Sequence, residues 1–281
     1  MQSLSSLVEN SKHKWLLENI KLLLGSPHTN NQVFSAFSSK YNCEIILKII
    51  PSTKTFSHEQ NALLYFNGKG CVKLLDHDAE NFSLLLESIK PGTPLSKLFP
   101  NEDSKATETC AQVIKKLHQK PLRPSLLPNF PSIKSWLNLL NTFKDNKVPS
   151  EMLKKAQILT ADLLQSQRDL YLLHGDLHHE NILQQDNSWI AIDPEGGIGE
   201  LAYEFGAFIR NPIPLLLEQN DPGHLMMQRA ECFSKIFKIE TRRILEWSFV
   251  QAMLATCWSI QDESDNLDYW LKIADLLEDT L

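Results

Sequence analysis

The sequence predicts an α+β fold in which a small N-terminal β-sheet with one internal helix precedes a larger, mainly helical part. Within residues 1–89, short apolar runs alternate with turn residues, as in strands, and from about residue 104 apolar side chains recur at helical spacing. Charge is also uneven, because residues 1–173 hold 21 Lys and Arg against 15 Asp and Glu, whereas residues 174–281 hold 7 against 19. We therefore expect two domains, residues 1–89 and residues 90–281.

The N-terminal part is predicted to contain two helices and four strands. The first helix is expected at residues 10–24, where NSKHKWLLENIKLLL has helical apolar spacing and Gly25 follows as a stop. The second, at 57–67, is the helix internal to the sheet. The strands are expected at 31–37, 44–50, 71–78 and 81–89. One of these, EIILKII, is almost continuously apolar but holds Lys48, which is costly to bury without a partner.

The C-terminal part is predicted to be helical except for one hairpin. Residues 121–131 hold four prolines and should form an extended connection. Short apolar runs at 170–173 and 189–193 predict two strands that pair as a hairpin. The helices are expected at 104–120, 132–143, 150–166, 201–210, 223–236, 239–260 and 265–279.

Composition narrows the class of protein. No stretch approaches the roughly 18 apolar residues of a membrane span, and the N-terminus lacks the apolar segment of a signal peptide. The five cysteines are dispersed without a CxxC pair, which is typical of reduced thiols in a cytosolic protein. We expect a cytoplasmic protein with no membrane or nucleic-acid partner, a basic half suited to a phosphate-bearing ligand and an acidic half suited to a cationic one.

The stretch LLHGDLHHEN, residues 172–181, carries the densest group of functional side chains. With the strand WIAID after it, it presents Asp176, Asn181 and Asp193 at strand ends. These are hard oxygen donors, which suit Mg²⁺ bound together with substrate phosphates. Glu59 follows Lys48 by eleven residues, in the next helix, and could neutralise that lysine. A buried Lys–Glu pair aimed at nucleotide phosphates would explain a lysine inside an apolar strand.

These residues resemble the kinase-like phosphotransferases, which share a lysine on the third strand, a glutamate on the next helix, a catalytic Asp and two metal-binding side chains. His174-Gly175-Asp176 stands where protein kinases have His-Arg-Asp. The combination HGDLHHENIL, IDPEGGIGELAYE and LLLESIKPGTPL looks most like the streptomycin 6-kinase/hydroxyurea phosphotransferase branch of the aminoglycoside phosphotransferase-like family. The resemblance implies a two-lobed, protein-kinase-like fold, with a nucleotide-binding lobe followed by a catalytic and substrate-binding lobe.

The resemblance also implies a role for each of five side chains. Asp176 would orient the substrate hydroxyl and accept its proton. Asn181 and Asp193 would hold Mg²⁺ on the β- and γ-phosphates. Lys48 would bind the α- and β-phosphates, with Glu59 fixing its rotamer.

The nucleotide is expected to bind at two further segments. Backbone groups of Glu87, Ser88 and Ile89 would hydrogen-bond the base, which we expect to be adenine of ATP, with GTP left open. The nucleotide loop should lie near residues 26–37. It has no glycine there, which departs from the family's glycine-rich signature.

The substrate implied by the resemblance is an aminoglycoside-type, streptomycin-like or similar cationic hydroxyl compound, with antibiotic resistance as one consequence. An acidic pocket for a guanidinium or amine could be lined by Glu195, Glu200, Glu204, Trp258, Asp262 and Glu263. Glu204 could instead bond the backbone of the catalytic loop. Glu195 and Glu204 also stand where the nearest relatives would have a lysine and an aspartate.

Other readings of the same residues stay open. A metabolite kinase for choline, a sugar or homoserine would use the same motif, and the missing glycines suit a nucleotide-binding pseudokinase with a regulatory role. Zinc held by His174, His178 and His179 would need three convergent imidazoles. A metallophosphoesterase would need further Asp and His motifs, and Asp76-His77-Asp78 has the wrong order. We expect a monomer or a weak dimer.

Overall fold

The computed structural model describes residues 3–25, 31–123, 125–126 and 130–281. Within these ranges the helices are α1 Leu4–Trp15, α2 Thr53–Phe66, α3 Asp103–Leu117, α4 Ile133–Thr142, α5 Ser150–Gln165, α6 Leu201–Ile209, α7 Pro222–Phe237, α8 Thr241–Gln261 and α9 Leu267–Glu278. The strands are β1 Leu17–Gly25, β2 Gln32–Ser38, β3 Cys43–Ile49, β4 Leu74–Asp78, β5 Ser83–Glu87, β6 Pro91–Pro94, β7 Tyr171–Leu173, β8 Ile182–Gln185, β9 Ser188–Ala191 and β10 Gly197–Gly199.

The chain forms two compact units. The first consists of Met1–Thr93 together with Leu183–Glu195, and the second of Pro94–Ile182 together with Gly196–Leu281. The division of roles expected at residue 89, between nucleotide binding and catalysis, stays a prediction. The expected nucleotide loop falls partly on residues 26–30, which lie outside the described residues, as do 124 and 127–129 of the proline-rich connection.

The first unit is built on a five-stranded antiparallel sheet in the order β1-β2-β3-β5-β4. The apolar run of β3 fills its core, since Ile45, Leu47 and Ile49 are fully buried. Helix α2 begins at an N-cap, where the Ser52 hydroxyl accepts a hydrogen bond from the Thr55 N–H. The buried positions of α2, among them Glu59, recur at helical spacing. The same pattern that builds the core therefore carries Lys48 and Glu59 inward.

The helix predicted at residues 10–24 is wrong in its second half. Helix α1 ends at Trp15, because Leu16 adopts a left-handed conformation with φ 51° and its N–H closes the helix on the Lys12 carbonyl. The chain then continues as β1, which pairs with β2. Trp15 is fully buried and its indole N–H donates to Asp76 at 2.9 Å. Strand pairing and this anchored tryptophan outweigh the helical spacing, since propensity and pattern yield to tertiary contacts.

The hairpin predicted between residues 170–173 and 189–193 is also wrong. Strand β7 pairs antiparallel with β10, whereas β9 lies beside β8 in a three-stranded sheet with the order β6-β8-β9. The buried Ile182 starts β8 directly after residues 172–181, and Asp186, at φ 50°, turns the chain back into β9. β9 therefore pairs with β8, the strand just before it in the sequence, and not with β7. Asp176 follows β7, Asn181 precedes β8, and Asp193 follows β9.

The second unit is predominantly helical, as predicted. Helix α8 is its centre, buried along most of its length and packed against α5, α6 and α9. Its long apolar run reflects this burial by neighbouring helices. Among the described residues, no helix is both long and apolar enough to span a membrane.

Candidate active site

The expected ion pair between Lys48 and Glu59 is present in the first unit. The Lys48 Nζ lies 2.8 and 2.7 Å from the two carboxylate oxygens of Glu59, and it also pairs with Asp193. Lys48 and Glu59 are only 6% and 4% exposed. Burial lowers the pKa of Lys48, but the charges of Glu59 and Asp193 outweigh burial and raise it. Lys48 is therefore a protonated, fixed point charge.

Asp193 is the accessible member of this group. It follows β9 with a left-handed φ of 63°, a conformation that Asp tolerates better than most residues and that is enriched at functional sites. Half of its side chain is exposed, whereas Glu59 is enclosed. The carboxylate of Asp193 can therefore reach a ligand while it contacts Lys48.

Residues 174–181 of the second unit form a compact loop that is closed by hydrogen bonds to its own backbone. Gly175 has φ 90°, which a residue with a side chain adopts at a cost. The Asn181 Nδ2 donates to the backbone carbonyl of Asp176 at 2.9 Å, and the His178 N–H donates to the same carbonyl at 3.1 Å. The spacing of five residues between Asp176 and Asn181 thus closes the loop. The side chain of Asp176 remains 43% exposed.

Asp176 is ionised at neutral pH. Its partial burial raises the pKa, but the neighbouring His178, Arg210 and His174 outweigh burial and lower the pKa to about 2. Such a carboxylate is a weak base. It is suited to orienting a hydroxyl and accepting its proton late, as bond formation proceeds.

The three histidines of this loop do not converge. His174 and His179 are fully buried, and His179 stacks on Phe208 with ring centroids 3.9 Å apart. Burial lowers the pKa of His179 to about 3, so it is neutral. Only His178 is partly exposed. In the ranges that the structure describes, no group of three His, Cys, Asp or Glu side chains could hold a metal. His174, His178 and His179 therefore do not form the zinc site that was considered for them.

Glu204 is enclosed in the second unit, and a role in binding substrate stays a prediction. It is 1% exposed, on α6, and its carboxylate accepts hydrogen bonds from the His174 N–H at 2.8 Å and the Gly175 N–H at 3.1 Å. The His118 Nε2 lies 3.0 Å from the same carboxylate. Burial raises the pKa of Glu204, but the hydrogen bond with His118 and neighbouring charges lower it below its ordinary value. The alternative interpretation, that Glu204 supports the catalytic loop, describes this geometry.

Glu200 is also committed to the protein. Its carboxylate lies 2.7 Å from the Arg243 guanidinium and accepts a hydrogen bond from the Trp247 indole. These contacts tie the start of α6 to α8 and satisfy the charge within the second unit. A role for Glu200 in binding substrate stays a prediction.

The other candidate substrate residues are exposed, unlike Glu200 and Glu204. Trp258, at 39%, and Asp262 are exposed at the end of α8, and Glu195 is exposed in the first unit. Glu87 uses its side chain and its N–H on the backbone of Lys73, at 2.8 and 3.1 Å. For Glu87, Ser88 and Ile89 a role in binding the base stays a prediction, as do the substrate roles of the exposed three.

No firm role for His178 follows from the sequence, and the structure places its ring beside Asp176 and Asn181. Its Nε2 lies 3.4 Å from an Asp176 oxygen and 3.3 Å from the Asn181 Nδ2. The alternation of buried and partly exposed side chains along residues 177–179 separates His178 from its neighbours. Leu177 and His179 are fully buried, so the residue between them points the other way.

The fold defines the class of protein. The chain is similar to the aminoglycoside phosphotransferase APH(4)-Ia in a ternary complex with AMP-PNP and hygromycin B, with a TM-score of 0.70 over 97% of this chain and 98% of that one, at 14% identity. It is similar to the choline kinase LicA from Streptococcus pneumoniae, with a TM-score of 0.69 over 98% of both chains, also at 14% identity. The protein has the protein-kinase-like fold, with a β-sheet N-terminal lobe and a helical C-terminal lobe.

Sequence similarity defines the family. Residues 32–263 match the model of the aminoglycoside/hydroxyurea antibiotic resistance kinases, and the chain belongs to this family of small-molecule kinases, which confirms the resemblance. It is 25% identical to streptomycin 6-kinase from Streptomyces griseus, across 70% of this chain and 64% of that enzyme. It is 27% identical to streptomycin 3''-kinase from Klebsiella pneumoniae, across 71% and 74%. Hydroxyurea phosphotransferase from Kitasatospora aureofaciens is 24% identical, across 78% and 63%.

Proposed function

We propose that this protein is an ATP- and Mg²⁺-dependent O-phosphotransferase that phosphorylates a hydroxyl of a streptomycin-like or similar cationic compound, and that resistance to that compound can result. The observation that carries the proposal is the loop of Asp176 and Asn181, in which an exposed, ionised carboxylate stands beside an anchored amide. The Lys48–Glu59–Asp193 group supplies the nucleotide side of the same chemistry. Family membership supports both assignments.

The proposed reaction assigns one task to each charged side chain. Asp176 accepts a hydrogen bond from the substrate hydroxyl and takes its proton as the oxygen attacks the γ-phosphorus. The bond from the γ-phosphorus to the β,γ-bridging oxygen breaks, and ADP leaves. Lys48, held protonated by Glu59, binds the α- and β-phosphates. Catalysis of this kind consists mostly of positioning and charge stabilisation, which fixed side chains provide.

The donor set fits Mg²⁺ better than a metal caged by protein. Asn181 and Asp193 would each contribute one hard oxygen, and no group of three metal-binding side chains occurs in the described ranges. Mg²⁺ is commonly held by one or two protein oxygens, with the phosphates and water completing its shell. When bound, the metal neutralises charge on the phosphates. The half-exposed side chain of Asp193 is accessible for this role.

A cationic substrate is supported by charge. Residues 174–281 hold 19 Asp and Glu against 7 Lys and Arg, and Glu200, Glu204 and their partners account for only part of this excess. Asp262 and Glu263, both exposed, follow the exposed Trp258 within about one helical turn of the chain at the end of α8. Aromatic faces and carboxylates both attract amines and guanidinium groups.

The test is a phosphotransfer assay on purified protein with Mg²⁺ and either ATP or GTP. The acceptors are streptomycin, hygromycin B, other aminoglycosides, hydroxyurea and choline, and product is detected by mass as one added phosphoryl group. We expect transfer to streptomycin or another cationic acceptor, loss of transfer when EDTA replaces Mg²⁺, and turnover at least about 10²-fold lower in Asp176→Asn. Nucleotide affinity should change little, because Asp176 acts on the acceptor hydroxyl.

Glu231→Gln is the matched control, because it makes the same kind of change at an exposed position of α7. Transfer to choline but to no aminoglycoside would move the substrate to the metabolite class. Nucleotide binding without transfer to any acceptor would contradict the enzyme assignment and favour a pseudokinase.

A further inference from the structure

His178 contacts both functional side chains of the catalytic loop. Its Nε2 lies 3.4 Å from the Asp176 Oδ2 and 3.3 Å from the Asn181 Nδ2. Its other ring nitrogen, Nδ1, accepts a hydrogen bond from the backbone N–H of Glu180 at 3.2 Å. Both nitrogens of one imidazole are therefore engaged inside the loop.

The contact with Glu180 selects the tautomer. An Nδ1 that accepts a hydrogen bond carries a lone pair, so the ring proton must reside on Nε2. The acceptor within reach of the Nε2–H is then the Asp176 Oδ2 at 3.4 Å, because the Asn181 Nδ2 at 3.3 Å is itself a donor. A hydrogen bond to an ionised carboxylate is stronger and more directional than one between neutral groups.

The Asn181 amide is oriented by the same cluster. Its Nδ2 donates to the Asp176 carbonyl at 2.9 Å and lies 3.5 Å from the Asp176 Oδ2. Because the nitrogen is turned toward the loop, the amide oxygen is turned away from it, as a metal ligand requires. The imidazole of His178 packs against this nitrogen and closes the cluster.

We propose that His178 is a positioning residue whose Nε2–H fixes Oδ2 of Asp176, so that the other carboxylate oxygen faces the acceptor hydroxyl. The inference rests on the proposed phosphotransfer function and adds to it a residue that orients the base. The arrangement follows a general logic of acid–base sites, in which a third group holds the base in the productive rotamer. In this role the imidazole touches neither the acceptor nor the nucleotide.

A purely structural role has a different chemical requirement. His178 also caps the short 3-10 turn His179–Asn181 through Nδ1. His178→Asn keeps an acceptor near the Nδ1 position and is a good cap, but it lacks a donor at the Nε2 position. His178→Gln extends an amide N–H toward the Nε2 position. The two variants therefore separate capping from positioning.

The kinetic test compares kcat and KM for Asn, Gln and Ala at position 178, with His13→Gln on the exposed face of α1 as the control. We expect kcat to fall about 10²-fold in the Asn and Ala variants, the loss typical of a misplaced catalytic group, while KM for ATP stays within about threefold. The Gln variant should recover most of kcat. Wild-type kcat in the Asn variant, or a Gln variant as slow as Ala, would overturn the proposal.

A second measurement is independent of activity. In the ¹⁵N spectrum of histidine-labelled protein, the signals lost in His178→Asn identify His178, and their shifts report the tautomer. We expect a protonated Nε2 and an unprotonated Nδ1. A proton on Nδ1 would overturn the inference even in an active enzyme. A wild-type protein that transfers no phosphate to any acceptor would instead refute the proposed function, with the tautomer decided separately.

Discussion

The sharpest test of the site's construction is Glu204→Gln. Glu204 is buried and its carboxylate accepts two backbone N–H groups, from His174 at 2.8 Å and Gly175 at 3.1 Å, on the two residues that precede Asp176. The substitution keeps the size of the side chain and removes its charge. It therefore isolates the electrostatic support of the catalytic loop from packing.

The magnitude follows from the contacts. Glutamine has one acceptor oxygen, so its amide group must face one of the backbone N–H donors and leave that donor unsatisfied, at roughly 1–3 kcal/mol. The remaining N–H bond loses its charge assistance, which contributes about 1 kcal/mol more. His118, whose Nε2 lies 3.0 Å from the carboxylate, loses its ionised partner. We expect a total of about 3 kcal/mol, close to the cost of breaking a buried ion pair.

The assay is equilibrium urea unfolding, followed by tryptophan fluorescence, beside a measurement of kcat. The variant should unfold at a clearly lower urea concentration, and kcat should fall because the backbone ahead of Asp176 is released. Glu231→Gln, the exposed control, should stay within about 0.5 kcal/mol of wild type. A Glu204→Gln protein within about 1 kcal/mol of wild type would show that the charge of Glu204 does not stabilise this loop. Selective loss of substrate affinity at unchanged stability would instead support Glu204 as a substrate residue.

Two further predictions concern buried and partly buried charges. Arg229→Met should destabilise the second unit by roughly 3–5 kcal/mol in urea unfolding, because the guanidinium pairs with the buried Asp103 at 2.6 and 3.0 Å. The double variant Arg229→Met/Asp103→Leu should recover part of the loss. For Asp76, burial raises the pKa, but hydrogen bonds from an indole, a backbone N–H and a phenol lower it to about 2. A folded pKa below the unfolded one stabilises at pH values above about 4, so Asp76→Asn should cost about 1–2 kcal/mol at pH 7. The difference should shrink as the pH falls from about 4 toward 2, and a constant difference across that range would contradict the linkage.

Much of the fold was predictable because strong patterns coincided with burial. The run EIILKII predicted a strand, and the lysine inside it suggested a nearby carboxylate, which Glu59 supplies. Long helices such as α8 were equally clear. The failures are places where pairing partners decide. The segment LENIKLLL has helical spacing but pairs with β2, and β7 pairs with β10 in place of the strand expected beside it.

The site was predictable only where chemistry is encoded in local spacing. Asp176 and Asn181 stand five residues apart because one loop closes on itself through the Asn181 amide. The partners of Glu200 and Glu204 lie 29 to 86 positions away, so their carboxylates could not be told from exposed acids in the sequence. The contact between Lys48 and Asp193, 145 positions apart, was equally beyond local spacing.

The two carboxylates on Lys48 differ in a way that bears on the proposed reaction. Glu59 is enclosed and binds the ammonium through both oxygens at 2.7–2.8 Å, so a ligand in solvent cannot replace Lys48 as its partner. Asp193 is half-exposed and could exchange the ammonium for another cation without leaving a buried charge unpaired. On the proposed function, Glu59 is then the permanent partner that keeps Lys48 protonated and fixed. Asp193 is the exchangeable partner, whose carboxylate would bind Mg²⁺ when nucleotide phosphates take its place beside Lys48.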